Sequence, residues 1–120
     1  MAKKRLKPIL PSLREKKRYL AFEVISKSRV YNYNSIAGAI HNSLLQLIGE
    51  LGAGKAGIKF LEDKFNQELQ RGLVKVNHKY VDHLRASLAL INDIDEKEVI
   101  VRSVGVSGIL KKAEKKYLAS

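Results

Sequence analysis

Gln70-Arg71-Gly72-Leu73-Val74-Lys75-Val76-Asn77-His78-Lys79-Tyr80-Val81-Asp82-His83-Leu84-Arg85-Ala86-Ser87-Leu88-Ala89-Leu90-Ile91 decides the fold, because two hydrophobic periods meet inside it. Gln70 to Val76 reads as a strand returning from a turn at Asp63 to Gln67. Asn77 can cap a helix whose buried stripe is Val81, Leu84, Leu88 and Ile91, at three- and four-residue spacing. A strand that feeds a helix on the far side of a hairpin is the opening of a crossover unit. The flanking sequence supplies what that unit needs.

Upstream, Ala56 to Leu61 predicts the other strand of the hairpin. Before it, Ile36, Ile40, Leu44, Leu47, Ile48 and Leu51 recur at helical spacing from Ser35 to Leu51. Asn32 and Asn34 are cap and loop residues, and glycines at 49, 52, 54 and 57 predict the helix end. Tyr19 to Ser26 is aromatic and β-branched without a breaker, so it reads as a strand. One face carries Leu20, Phe22 and Val24; the other carries Tyr19, Ala21, Glu23 and Ile25. Downstream, Asn92 to Glu98 reads as an acidic loop and Val99 to Val106 as a valine-rich strand. Ser107 is the expected cap of a basic helix over 108–118.

The order is strand, helix, strand, strand, helix, strand, then a last helix. That is an α+β chain with the split β-α-β pattern of ferredoxin-like and RNA-recognition-like sandwiches. Right-handed crossovers predict a four-stranded antiparallel sheet in spatial order 4-1-3-2. Strands one and four are then antiparallel neighbours, so the α-carbons of Arg18 and Ser107 are expected within roughly 15 Å. Residues 1–16, interrupted by Pro8 and Pro11, read as a basic arm. Residues 17–120 read as one sandwich domain that includes the helix at 108–118.

The charge is not spread evenly. The net charge is +11, and ten of those charges sit in the two ends. Met1 to Arg18 holds Lys3, Lys4, Arg5, Lys7, Arg14, Lys16, Lys17 and Arg18 against Glu15 alone. Gly108 to Ser120 holds Lys111, Lys112, Lys115 and Lys116 against Glu114. The middle, Tyr19 to Ser107, has eleven basic and ten acidic residues. Two basic ends on a near-neutral core suit a polyanion, because such side chains follow a phosphate backbone and release its counterions. The predicted topology joins the two ends into one patch, and Gly105-Val106-Ser107-Gly108 at its root reads either as an anion seat, with Ser107 and Gly108 as binding residues, or as a simple capped turn.

Catalytic signals are weak. No cysteine is present, which excludes a disulfide framework, a thiolate zinc site and a cysteine nucleophile. Gly49-Glu50-Leu51-Gly52-Ala53-Gly54-Lys55-Ala56 nearly fits a phosphate-binding loop, but Ala56 replaces the magnesium-binding hydroxyl and the helix precedes the glycines instead of following them. A loop over Gly49 to Gly57 that orders on RNA is the functional alternative to a helix stop. His41, His78 and His83 lack metal-ligand spacing, and structural or surface roles are expected. Asp93, Asp95, Glu96 and Glu98 could gather magnesium, but a solvated loop accounts for them. Tyr19 and Phe22 point to opposite faces, and Arg71 to Val76 has no aromatic, so base stacking on the sheet is not expected. No catalytic residue and no metal ligand of the protein is assigned. The basic start is followed by prolines instead of an apolar signal core, so a cytoplasmic protein is expected.

Four stretches together resemble the archaeal and eukaryotic RNase P protein component 2 family. They are Leu10-Pro11-Ser12-Leu13-Arg14-Glu15-Lys16-Lys17-Arg18-Tyr19-Leu20-Ala21-Phe22-Glu23, Gln70 to Val76, Val81 to Ile91, and Gly105-Val106-Ser107-Gly108-Ile109-Leu110-Lys111-Lys112. The resemblance implies an RNA-binding subunit of a ribonucleoprotein that removes 5′ leaders from precursor tRNA. It implies that the RNA is catalytic, that the protein holds no cofactor, and that Mg²⁺ sits in the RNA active site. It also implies RNase P RNA, precursor tRNA, RNase P protein component 3 and other RNase P protein subunits as partners; no membrane is expected, because the longest apolar stretches fall well short of a span. A homodimer within that assembly is left open. The alternatives are a ribosomal or other RNA-binding protein of similar topology, or a stand-alone metal-dependent nuclease using the acids at 93–98.

Overall fold

Through the middle of β1 (Lys17–Ser26) successive side chains enter two different cores in alternation. Leu20, Phe22 and Val24 join the larger cluster and Ala21 the smaller. In the computed structural model, which describes residues 16–119, this strand lies at the centre of the sheet. The following elements are α1 (Tyr33–Ala56), β2 (Lys59–Phe60), β3 (Arg71–Asn77), α2 (Val81–Ala89), β4 (Asp93–Ile94), β5 (Lys97–Ser107) and α3 (Leu110–Ala113). All strand pairs are antiparallel, in the order β2-β3-β1-β5-β4.

Both faces of the sheet are covered, by different layers. Ile36, Ile40 and Leu44 of α1 and Leu84 and Leu88 of α2 pack on Leu20, Phe22, Val74, Val76, Val99 and Val101. Each fully buried Leu or Phe there contributes about 1.5–3 kcal/mol. On the opposite face Ala113 and Leu118 close over Ala21 and Leu73, with Tyr19, Leu61, Val104, Leu110 and Tyr117 around them. β5 carries one extra residue where its pairing steps from Phe22–Ser103 to Ala21–Gly105, a β-bulge at Val104.

The four-stranded expectation is corrected to five strands. Asn92 to Glu98 is not simply an acidic loop, because Ile94 within it is buried at 2% exposure. Asp95 and Glu96 take φ of 53° and 63° and turn the chain in two residues, so that Asp93 pairs with Glu98 and Ile94 with Lys97.

The predicted helix end is also corrected. α1 breaks its dihedrals at Gly49 (φ 76°, ψ 174°), then resumes to Ala56 and stops at Gly57 in the left-handed region. Ala53 and Ala56 are buried along that second segment and hold it in place despite its glycines. Gly49 to Gly57 is therefore a kinked helix and its cap, not a loop. Ala56 stays helical, which shortens the predicted 56–61 strand to Lys59–Phe60. Asn77 caps a 3₁₀ turn over His78–Tyr80, its side chain accepting from the Lys79 N–H, and α2 starts only at Val81.

Candidate nucleic-acid interface

The two basic segments enter and leave the sheet side by side. Tyr19 is directly opposite Ser107 in the β1–β5 ladder, so Arg18 and Ser107 are near neighbours. A Cβ on Gly108 would lie 3.5 Å from the Arg18 Nη1, so the guanidinium reaches the start of the C-terminal segment. The carbonyl of Lys16 accepts from the His78 backbone N–H at 2.8 Å, and its position ahead of β1 is fixed by that contact. Lys16 and Lys17 are exposed and Arg18 is half-buried.

The C-terminal helix differs from its expectation. It starts at Leu110, and its cap is Ile109, which gives no side-chain bond. Ser107 closes a turn with Ile109 instead: its hydroxyl accepts from the Ile109 N–H and lies 3.1 Å from the Ile109 carbonyl. The expected helix cap at Ser107 is thereby corrected to Ile109, and the α-helical segment is four residues long. After Ala113 the chain widens into a π turn over Glu114–Leu118.

Sheet residues grip the end of this turn. Arg71 Nη1 donates to the Tyr117 carbonyl at 3.0 Å, and Asn66 Nδ2 to the Leu118 carbonyl at 2.8 Å. Carbonyls at a helix end need such partners, and here side chains supply them. Arg71 is itself bound to Glu23, which lies between Arg71 at 3.3 Å and Arg102 at 2.8 Å. Lys64 bridges to Glu114 at 3.4 Å. Gly105 lets the Tyr117 ring lie directly on β5, because a Cβ there would overlap the ring. With the apolar side of the helix held down, Lys111, Lys112, Lys115 and Lys116 are all exposed.

Of the residues predicted to bind RNA, Arg18 meets Gly108, while the Lys17 ammonium lies at Gly57 and Lys16 is tied to His78; the four helix lysines follow Gly108 on the same chain segment. Lys3, Lys4, Arg5, Lys7 and Arg14 lie outside the described residues. Sequence reasoning missed Arg71 and Asn66 as the residues that seat the lysine helix. Their distance from it along the chain hides the contact. It also missed that Lys59 and Lys75, counted into the neutral middle, are direct cross-strand partners. Registering the two hairpin strands would have found them.

The other candidates take structural places. His41 and His83 are exposed, and the His78 ring nitrogen lies 3.2 Å from the Lys16 carbonyl. Phe22 is wholly buried and Tyr19 half-buried beside the C-terminal helix. Among the described residues no group of three or more His, Cys, Asp or Glu side chains could hold a metal ion. No described helix is long and apolar enough to cross a membrane.

Over 115 residues the chain is 37% identical to ribonuclease P protein component 2 of Pyrococcus abyssi, covering 96% of this chain and 95% of that one. The Pyrococcus furiosus protein of the same name is 38% identical, covering 96% and 93%. That of Methanosarcina barkeri is 37% identical over 94% of this chain and 80% of its own. A chain in a cryo-EM structure of yeast ribonuclease MRP superposes with a TM-score of 0.61 at 14% identity, covering 88% of this chain and 87% of that one, which shows a shared fold. The Rpp14/Pop5 family profile matches residues 18–118, from the root of the basic arm to the carbonyl gripped by Asn66, and the chain belongs to that family.

Proposed function

We propose that this chain is an RNA-binding protein subunit of ribonuclease P, which supports the catalytic RNA in removing 5′ leaders from precursor tRNA. What carries the reading is the family match across residues 18–118, together with relatives named as ribonuclease P protein component 2. The geometry supplies the means. Cationic side chains of Lys16, Lys17, Arg18 and the C-terminal helix are rooted at one sheet end. Lysines on a rigidly seated helix can neutralise phosphates where RNA strands converge.

The chemistry in this reading belongs to RNA-bound Mg²⁺, and the protein lowers the electrostatic cost of bringing the strands together. RNase P protein component 3 and the other protein subunits are its partners, with a homodimer inside the assembly as a further arrangement, in the cytoplasm. The fold is read as a split β-α-β sandwich to which the Asp95–Glu96 turn adds the short fifth strand.

Reconstitution tests this. Precursor tRNA is incubated with transcribed archaeal RNase P RNA and the protein subunits, with and without this chain, over a magnesium titration. Cleavage at the mature 5′ end at lower magnesium when the chain is present is the expected result. Correct cleavage by the chain alone, with RNA removed by nuclease, would overturn the cofactor role in favour of a protein nuclease.

A further inference from the structure

Lys59 of β2, Lys75 of β3, Tyr19 of β1 and Ser107 of β5 form one row across four adjacent strands, each residue directly opposite the next. The row spans about 14 Å at ordinary strand spacing. It lies on the face that carries the C-terminal helix. Leu73 and Ala21, two residues further along their strands, are in the cluster beneath that helix, and alternate residues share a face. Phe60 and Val74, next to the two lysines, belong to the opposite core.

Two lysines directly opposite each other destabilise a sheet unless something neutralises them. Among the described residues, no carboxylate pairs with either. The first acid along β1 on that face, Glu23, is taken by Arg71 and Arg102. Glu62 and Asp63 follow β2 on a 3₁₀ turn, and neither bridges the pair. Tyr19 and Ser107, the other members of the row, are next in sequence to Arg18 and Gly108, so the row begins beside the basic roots although Arg18 itself shares the opposite face with Leu20 and Phe22.

We infer that Lys59 and Lys75 form a second phosphate-binding element, which takes the RNA backbone on the sheet face beside the lysine helix. The inference rests on the ribonuclease P reading and extends it. RNA crosses from the chain's basic ends onto a surface that the charge count places in the neutral middle. The unfavourable lysine pair is maintained because bound phosphate, and not a protein carboxylate, is its partner.

The test uses the full chain and transcribed archaeal RNase P RNA, with affinity measured from low to moderate salt. K59Q/K75Q should bind at least about tenfold more weakly, and the slope of log affinity against log salt should flatten by about 1.4–1.8. Its free form should melt at the same temperature as the parent or higher, because a repulsion has gone. K59R/K75R, which keeps both charges, should bind like the parent. Unchanged affinity and slope in K59Q/K75Q overturn the inference, as does an arginine variant that binds as poorly as the glutamine one. K111Q/K112Q/K115Q/K116Q is measured in parallel. If it weakens binding while K59Q/K75Q does not, the sheet site is wrong and the subunit reading stands. If the parent shows no salt-dependent binding, the subunit reading itself fails.

Discussion

Two side chains show how tightly single positions are set. The Tyr33 ring stands edge-on to Phe65 at 5.2 Å, and its buried hydroxyl has no partner among the described residues. Burial, with smaller contributions from Glu62 and Asp63, pushes its pKa from the ordinary 10.0 up to about 12. The folded state therefore favours the neutral phenol. The stability tied to that preference is fully present below the unfolded value near pH 10 and is lost as pH rises to about 12. Y33F should fold as well as the parent at neutral pH, or better by up to about 1 kcal/mol because an unpaired hydroxyl is gone. In urea titrations at several pH values it should lose less stability than the parent between pH 10 and 12. At Gly105 the constraint is space. G105A drives a methyl into the Tyr117 ring, and overpacking of this kind costs about 1–3 kcal/mol. Combined with Y117A the clash disappears, so the two changes should be non-additive by about 1 kcal/mol or more in a thermal-denaturation cycle.

Elements were legible in the sequence where a period ran long enough and illegible where a few residues overrode it. The alternation of Leu20, Phe22 and Val24 gives β1 its place, and the stripe of Leu84 and Leu88 gives α2 its buried side. The glycines of α1 misled, since repeated glycine ordinarily stops a helix. The structure uses only Gly49 to bend and Gly57 to end, and buried alanines keep the intervening turns helical. G49A should therefore be costly, by about 1–3 kcal/mol in chemical denaturation, because a side chain at φ 76°, ψ 174° is strained. A G54A change, in the helical segment with nothing within 4 Å of the added methyl, should stabilise instead. The hairpin at Asp95–Glu96 escaped because its apolar anchor, Ile94, is a single residue in an acidic run. The C-terminal helix was legible as a helix but not in its form. The carbonyls at the end of its π turn are held by Arg71 and Asn66, contacts that no local pattern encodes.

At the scale of the molecule, the charge count located the two basic ends and strand handedness predicted that their roots meet. The lysine pair across β2 and β3 was invisible, because it arises only when a hairpin register sets two ordinary surface lysines opposite each other. If the helix lysines bind backbone phosphates, K111Q/K112Q/K115Q/K116Q should flatten the salt dependence of RNA binding by about 0.7–0.9 for each phosphate no longer neutralised. Filter-binding at several salt concentrations checks this, and an unchanged slope would move the RNA away from that helix. One feature of β5 also governs how the chain tolerates length change. Val104 is the residue without an opposite number on β1. Removing it would leave Ser103 facing Phe22, Gly105 facing Ala21 and Ser107 facing Tyr19, so the lysine helix would still depart on its own side of the sheet, at the cost of Val104's packing. Deleting a paired residue such as Val101 is costlier, since Arg102, Ser103 and Val104 would each turn to the wrong face before the lost bulge restores the register at Gly105. A scan of single-codon deletions through β5 should therefore show one tolerated position, and it should be the bulge.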